Sequence, residues 1–212
     1  MTPGDRWPRR RFFRRYARVI LSLMNVPLTH AAEGLERRAF SVADVIRMVE
    51  IGVLGRDERF ELIGGEIVPM SPKDRRHELV KSGLCEMLFD GRPTDIRIMV
   101  ETTLYLSRDG FVEPDIVLVP RAAVFERLAP TDVRLVVEIS HSTLAFDLGR
   151  KATIYAAHHV PEMWVIDAAG LVTHVHRDPR GDRFADIRVV PPNEALMPFG
   201  PSGRPIRLAD LS

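Results

Sequence analysis

"EPDIVLV" (113–119) and "LVVEIS" (135–140) are the two runs on which the fold turns. Both are short, rich in Val, Ile and Leu, and free of strict polar alternation, which is how strands covered on both faces read. Each nevertheless carries an acid. Asp115 opens the first run, and Glu138 follows Leu135, Val136 and Val137 in the second. An ionised carboxylate in a buried strand costs several kcal/mol unless it is paired or metal-bound. The two acids lie 23 residues apart on strands that are near neighbours in the chain. If those strands pair, both carboxylates converge on one point. A hard divalent cation such as Mg2+ accepts two carboxylates and keeps waters for chemistry. Pro114 fits at the first residue of its strand, where no ladder donor is required. The plainer reading leaves each acid at a strand end, facing solvent or a nearby arginine (Arg121 or Arg134).

On the N-terminal side, "SVADVIRMVEIG" (41–52) predicts a helix, with Ser41 as cap, Asp44 three positions on, and apolar residues at 42, 45, 46 and 49. "RFELIGGEIVPM" (59–70) predicts a hairpin about Gly64-Gly65. Ser71-Pro72 predicts a helix start, the helix running to about Phe89. "DIRIMVETTLYL" (95–106) reads as one strand, ahead of those at 114–119 and 133–140. Beyond them come a helix in "STLAFDLGRKATIYAAHH" (142–159), a buried strand in "EMWVID" (162–167), and a terminal hairpin from "LVTHVHRD" (171–178) and "FADIRVV" (184–190). This order predicts an α/β (α+β) domain, a mixed central β-sheet flanked by helices.

Composition fits one such domain with a short appendage: 212 residues, 45% hydrophobic and 28% charged. No run of 18 uncharged apolar residues is present, which argues against a membrane-spanning helix. A single cysteine, Cys85, excludes an internal disulfide and predicts a reducing, cytoplasmic setting. The net charge of +1 conceals an asymmetry: residues 1–23 hold seven arginines against Asp5, for +6, and the remainder sums to −5. Any nucleic-acid contact by the body must therefore come from a local groove and not from a global positive field. The segment "PRRRFFRRYARVILSLM" (8–24) admits three readings: a twin-arginine export signal interrupted by Arg15 and Arg18, a basic amphipathic helix for phosphates or a membrane surface, or an extension ahead of a start at Met24. We place the boundary between this Arg-rich extension (1–38) and the domain (39–212) before Ala39.

The helix at 142–159 carries Asp147, Lys151 and Tyr155 at four-residue steps, so the three share a face. Asp147 and Lys151 form either a surface pair worth a few tenths of a kcal/mol or part of the acid site. In the second case the Lys151 charge orients a water or stabilises a transition state. With "EPD", "VVEIS" and "DLGRKATIYAAHHVPEMWVID" (147–167) in view, the sequence resembles the PD-(D/E)XK nuclease superfamily and, more narrowly, the Uma-type restriction endonucleases. The resemblance begins with "FSVADVIRMVEIGVLGRDERFELIGGEIVPMSP" (40–72) and runs to about residue 190.

That resemblance implies a restriction-endonuclease-like fold and a Mg2+-dependent (or Mn2+-dependent) endodeoxyribonuclease, with DNA as partner and Asp115 and Glu138 as metal ligands. The superfamily lysine stands two residues after the second acid, a position held here by Ser140; Lys151 matches a lysine supplied from the helix instead. The resemblance also brings in Glu61 and His77, the latter to hold a water or the scissile phosphate. Its plainer reading is a polar helix face beside Arg75 and Arg76. The alternative function is a catalytically inactive module of the same fold for nucleic-acid binding or assembly, favoured by Ser140 and the acidic body. A homodimer is expected, because cutting two strands with one site per chain needs two chains about a twofold axis. The terminal hairpin or the 41–52 helix would supply the interface. His174 and His176 share a strand face without a third ligand nearby, His158-His159 end a helix, and Cys85 reads as core. No phosphate-binding glycine loop or nucleophile elbow is present.

Overall fold

The two acid-bearing runs form adjacent antiparallel strands inside a six-stranded sheet. The structure, a computed structural model, describes residues 28–30, 34–124, 128–200 and 203–211. The Arg-rich segment 1–23, with its three readings, lies outside the described residues. In chain order the strands are β1 (Leu28–His30), β2 (Glu36–Arg38), β3 (Phe60–Ile63), β4 (Glu66–Pro69), β5 (Ile96–Val100), β6 (Leu104–Ser107), β7 (Gly110–Val112), β8 (Ile116–Pro120), β9 (Leu135–Ser140), β10 (Glu162–Asp167), β11 (Val172–Arg180) and β12 (Arg183–Val190). The helices are α1 (Val42–Glu50), α2 (Arg75–Asp90), α3 (Leu144–Phe146) and α4 (Ala152–Ala157), the last two joined without a break by a π-helical turn, Asp147–Lys151. No helix among the described residues is long and apolar enough to cross a membrane.

The central sheet has the order β12-β11-β10-β9-β8-β5, and only β9 and β10 run parallel. Its strands are sandwiched, as their unbroken apolar runs require. Ile116, Leu118, Leu135, Val137, Trp164 and Ile166 pack on Val80, Leu84 and Leu88 of α2. Their alternates Val117, Val119, Val136, Met163 and Val165 pack on Ala152, Tyr155 and Ala156 of α4. Each fully buried leucine of this set contributes about 1.5–3 kcal/mol, so β8 and β9 are a stiff platform. The chain after β12 closes the α2 side, with Leu196, Ile206 and Leu208 buried in the same cluster.

A second sheet, β4-β3-β7-β6, leans on α1 through Val45, Phe60, Leu62 and Phe111. Helix α1 starts where Ser41 Oγ accepts from the Asp44 N–H at 3.1 Å and Asp44 Oδ2 accepts from the Ser41 N–H at 2.9 Å, a reciprocal cap. The β3–β4 hairpin turns on Gly64 (φ +58°) and Gly65 (φ +78°). Gly65 is needed twice over, since a Cβ there would sit 2.5 Å from the Ala39 Cβ. A separate ribbon, β1–β2, lies within the stretch that the sequence reading gave to the extension.

Three expectations change. Helix α2 does not open at Ser71-Pro72: Asp74 is its cap, accepting from the His77 N–H at 2.9 Å, which leaves Ser71–Lys73 irregular and His77 in the first turn. The run 95–106 is two strands in two sheets, split at Glu101, whose φ is +49°. Thr102 and Thr103 favour strand as much as their neighbours do, so the break has no local signal. It is held by tertiary bonds, including the Glu101 N–H donating to the Asp115 carbonyl at 3.0 Å. Strand β7, too short to register in the sequence, supplies the pairing partner for β3 and β6.

Candidate active site

Strands β8 and β9 pair with Ile116 opposite Val137, and the next step of that antiparallel register puts Asp115 opposite Glu138. Both acids point to one side, and both are buried, each 4% exposed. The Ile139 N–H donates to Asp115 Oδ2 at 2.8 Å, binding the first acid to the strand that carries the second. Opposite-facing acids would have excluded a shared site; this register does not. Strand β3 brings Glu61 alongside, its Oε1 accepting from the Glu113 N–H at 3.0 Å.

The helix at 144–157 delivers Lys151. Its π-helical turn is one residue wider than an α-turn, a feature often found at functional sites. Lys151 Nζ lies 3.0 Å from Glu138 Oε1 and 3.0 Å from Glu61 Oε1. Tyr155 donates its hydroxyl to Glu138 Oε1 at 2.6 Å. The surface-pair reading of Asp147 and Lys151 is corrected here, since both side chains are buried. Asp147 accepts instead from Ser140 Oγ at 2.5 Å and Thr143 Oγ1 at 2.7 Å. Ser140 thus anchors the turn that presents Lys151.

Asp115 is also tied into a closed ring of side chains, with lysines and carboxylates alternating along one arc and His77 closing the other. Lys73 Nζ donates to Asp115 Oδ1 at 2.7 Å and to Glu101 Oε1 at 2.6 Å. Lys81 joins Glu101 to Glu78 at 2.5 and 2.7 Å. His77 completes the circuit, its Nδ1 3.3 Å from Glu78 and its Nε2 3.1 Å from Asp115 Oδ2. The side chains of Glu61, His77, Asp115, Glu138 and Lys151 all line one cavity of about 260 Å³.

Residues 43–203 match the Uma2 family, described as "Putative restriction endonuclease". The chain belongs to this family. A crystal structure of a "putative nuclease belonging to DUF820" from Anabaena variabilis shares the fold at a TM-score of 0.63 and 15% identity, over 81% of this chain and 97% of the other. No curated protein matches the chain.

Within this Uma2 site the two facing acids have opposite electrostatics. Burial pushes the Glu138 carboxyl up to about 8, reinforced by the charges of Asp115 and Glu61 and only partly offset by Lys151. Burial also raises Asp115, but the His77 hydrogen bond and the Lys73 charge outweigh it and hold the carboxyl at about 2. Lys151 loses hydration, yet Glu138, Glu61 and Asp147 keep its ammonium proton more tightly bound than usual. A pair of acids driven apart in this way is a common mark of a reactive site.

Two residues escaped the sequence reading. Lys73 was taken for the first turn of a helix, and Glu101 for the interior of a strand. The only available signal for Lys73 was the helix-capping Asp74, which competes with Ser71 as a start. As for a metal, the donors offered are two hard carboxylate oxygens groups, Asp115 and Glu138. Among the described residues no group of three or more His, Cys, Asp or Glu is placed to hold an ion. Two hard carboxylates would fit a divalent ion that keeps most of its own waters; they do not make a closed zinc site. His176 is buried with both ring nitrogens unpartnered and packs edge-on to Phe184 at 5.5 Å, away from these acids in sequence and strand.

Proposed function

We propose that this protein is a metal-dependent endonuclease that hydrolyses DNA phosphodiester bonds. The observation that carries the reading is the opposition of Asp115 and Glu138 across β8 and β9 at one cavity, with a lysine on each. In this reading Asp115 and Glu138 hold Mg2+ or Mn2+. The ion, when bound, supplies Lewis acidity toward a phosphoryl oxygen and makes a water more acidic. Lys151, fixed between Glu61 and Glu138, presents a positive charge that needs no reorganisation as negative charge builds on the phosphoryl group. His77 and the Ile139 N–H fix the orientation of Asp115. Glu138 must release its proton to serve as a ligand, and Tyr155 holds its Oε1 in place while it does so.

A plasmid-nicking assay with Mg2+ or Mn2+ tests this. Wild type should convert supercoiled DNA to open circles, and Asp115→Ala should not. Equal conversion by both would overturn the assignment. The alternative, an inactive module of the same fold, draws on the same geometry: Asp115 is already ion-paired with Lys73 and hydrogen-bonded to His77, and Ser140 is spent on Asp147. That reading expects no cleavage by wild type and Mn2+ binding too weak for calorimetry.

A further inference from the structure

Strand β12 is the outer strand of the central sheet, eight residues long and paired with β11 alone. Its register with β11 runs unshifted from Thr173–Val190 to Arg180–Arg183. Among the described residues, no backbone group of 183–190 bonds to another backbone group outside that ladder. Edge strands are usually blunted by charged side chains, proline or a bulge; β12 has no proline, lysine or bulge, and its charges, Arg183, Asp186 and Arg188, are of both signs. Ile187 and Val189 stand open on it, 57% and 56% exposed.

We propose that this edge is where a second copy of the chain docks, two β12 strands pairing antiparallel about a twofold axis through Ile187. A twofold perpendicular to the sheet makes the strands antiparallel. Cross-strand pairs alternate between hydrogen-bonded and non-bonded types, so symmetry-related pairs match in type only when a residue faces itself. Few centres are then possible. Asp186 or Arg188 at the axis would oppose like charges. Ala185 at the axis would set Phe184 against Asp186 and Arg183 against Ile187. Ile187 at the axis sets Asp186 against the partner's Arg188 twice, Ala185 against the partner's Val189 twice, and Ile187 against itself. One face of the junction is an apolar stripe and the other carries two ion pairs, each type of contact favourable across strands. Pro191 and Pro192 end the register on both sides.

The charges already on the sheet continue into this junction. Arg177 donates to Glu162 at 2.8 Å and lies opposite Asp186 in the β11–β12 register. Arg188 is ion-paired with Glu194. Across the axis the row reads Glu162, Arg177, Asp186, the partner's Arg188, the partner's Glu194, alternating in sign throughout. Because the axis is perpendicular to the sheet, both acid pairs stay on the same face of the joined sheet.

Light scattering on the full chain at micromolar concentration should give twice the 24.0 kDa monomer mass. Ile187→Lys should raise the dimer dissociation constant at least tenfold. Disulfide trapping reads the register itself, since facing residues at about 4.5–5.5 Å between Cα atoms are within disulfide reach. Oxidised Ile187→Cys should run as a covalent dimer, as should the double variant Ala185→Cys/Val189→Cys. Each of Ala185→Cys and Val189→Cys alone should not, nor should wild type with its half-buried Cys85. A monomeric mass, or a dimer in which Ile187→Cys fails to cross-link, overturns the proposal. None of these readouts involves cleavage, so the result is separate from the nuclease reading.

Discussion

Lys151 sits between two carboxylates with only 6% of its surface exposed, so removing it is a folding event as well as a chemical one. Breaking a buried pair by deleting one partner costs about 3–5 kcal/mol, because the remaining charge, here that of Glu61, is left uncompensated. Lys151→Ala should therefore lower the urea-unfolding free energy by about 3 kcal/mol and abolish nicking. The sequence had suggested a nearly free substitution, on the premise of an exposed Asp147–Lys151 pair. Lys151→Arg should not restore activity, since a planar fork does not fit where a compact ammonium bridges two acids. Lys73 poses the opposite case. Its ammonium occupies Asp115 Oδ1 and so competes with any cation there. Lys73→Met should tighten Mn2+ binding several-fold by calorimetry, while unchanged Mn2+ affinity would show that Lys73 does not guard the ligand.

At the scale of elements, legibility followed locality. Strands β8, β9 and β10 were plain in the sequence because an apolar run bounded by turn residues has few other uses, and their two acids stood out against it. Helix α1 was plain because its cap is a contiguous pattern, Ser41 to Asp44. What could not be read was whatever depends on distant partners. The break at Glu101 is set by Lys73, Lys81 and Asp115, none of them adjacent in sequence. The π-helical turn that aims Lys151 is anchored by Ser140, across a loop. The Gly64-Gly65 turn was legible as a turn but not for its second duty, the close pass by Ala39. Gly65→Ala combines a left-handed φ, costing about 1–2 kcal/mol for an L side chain, with an overlap against Ala39 of similar cost. We expect a loss of about 2–4 kcal/mol in urea unfolding. Nicking should also fall, because the hairpin that shifts carries Glu61.

Over the whole molecule, the two facing acids predict an unusual pH profile of stability. Asp115 and Glu101 have folded values near 2, below their ordinary 3.8 and 4.5. A depressed acid contributes stability above its unfolded value and loses it as pH falls, here between about 4 and 2; for Asp115 this amounts to about 2 kcal/mol. Glu138 has the reverse sign. Its folded value of about 8 exceeds the ordinary 4.5, so its contribution is complete below 4.5 and is lost as pH rises toward 8. The metal-free protein should then melt highest near pH 5, lower than the usual optimum, with Tm falling on both sides in a scan from pH 2 to 9. Glu138→Gln keeps the neutral shape without the titration and should flatten the decline between pH 5 and 8. Mn2+ should raise Tm mainly above pH 7, where giving up the Glu138 proton costs least. A wild-type Tm that stays level from pH 5 to 8.5 would mean that Glu138 is ionised throughout. In that case Lys151 and Tyr155 outweigh burial, and the site meets its cation with no proton to release.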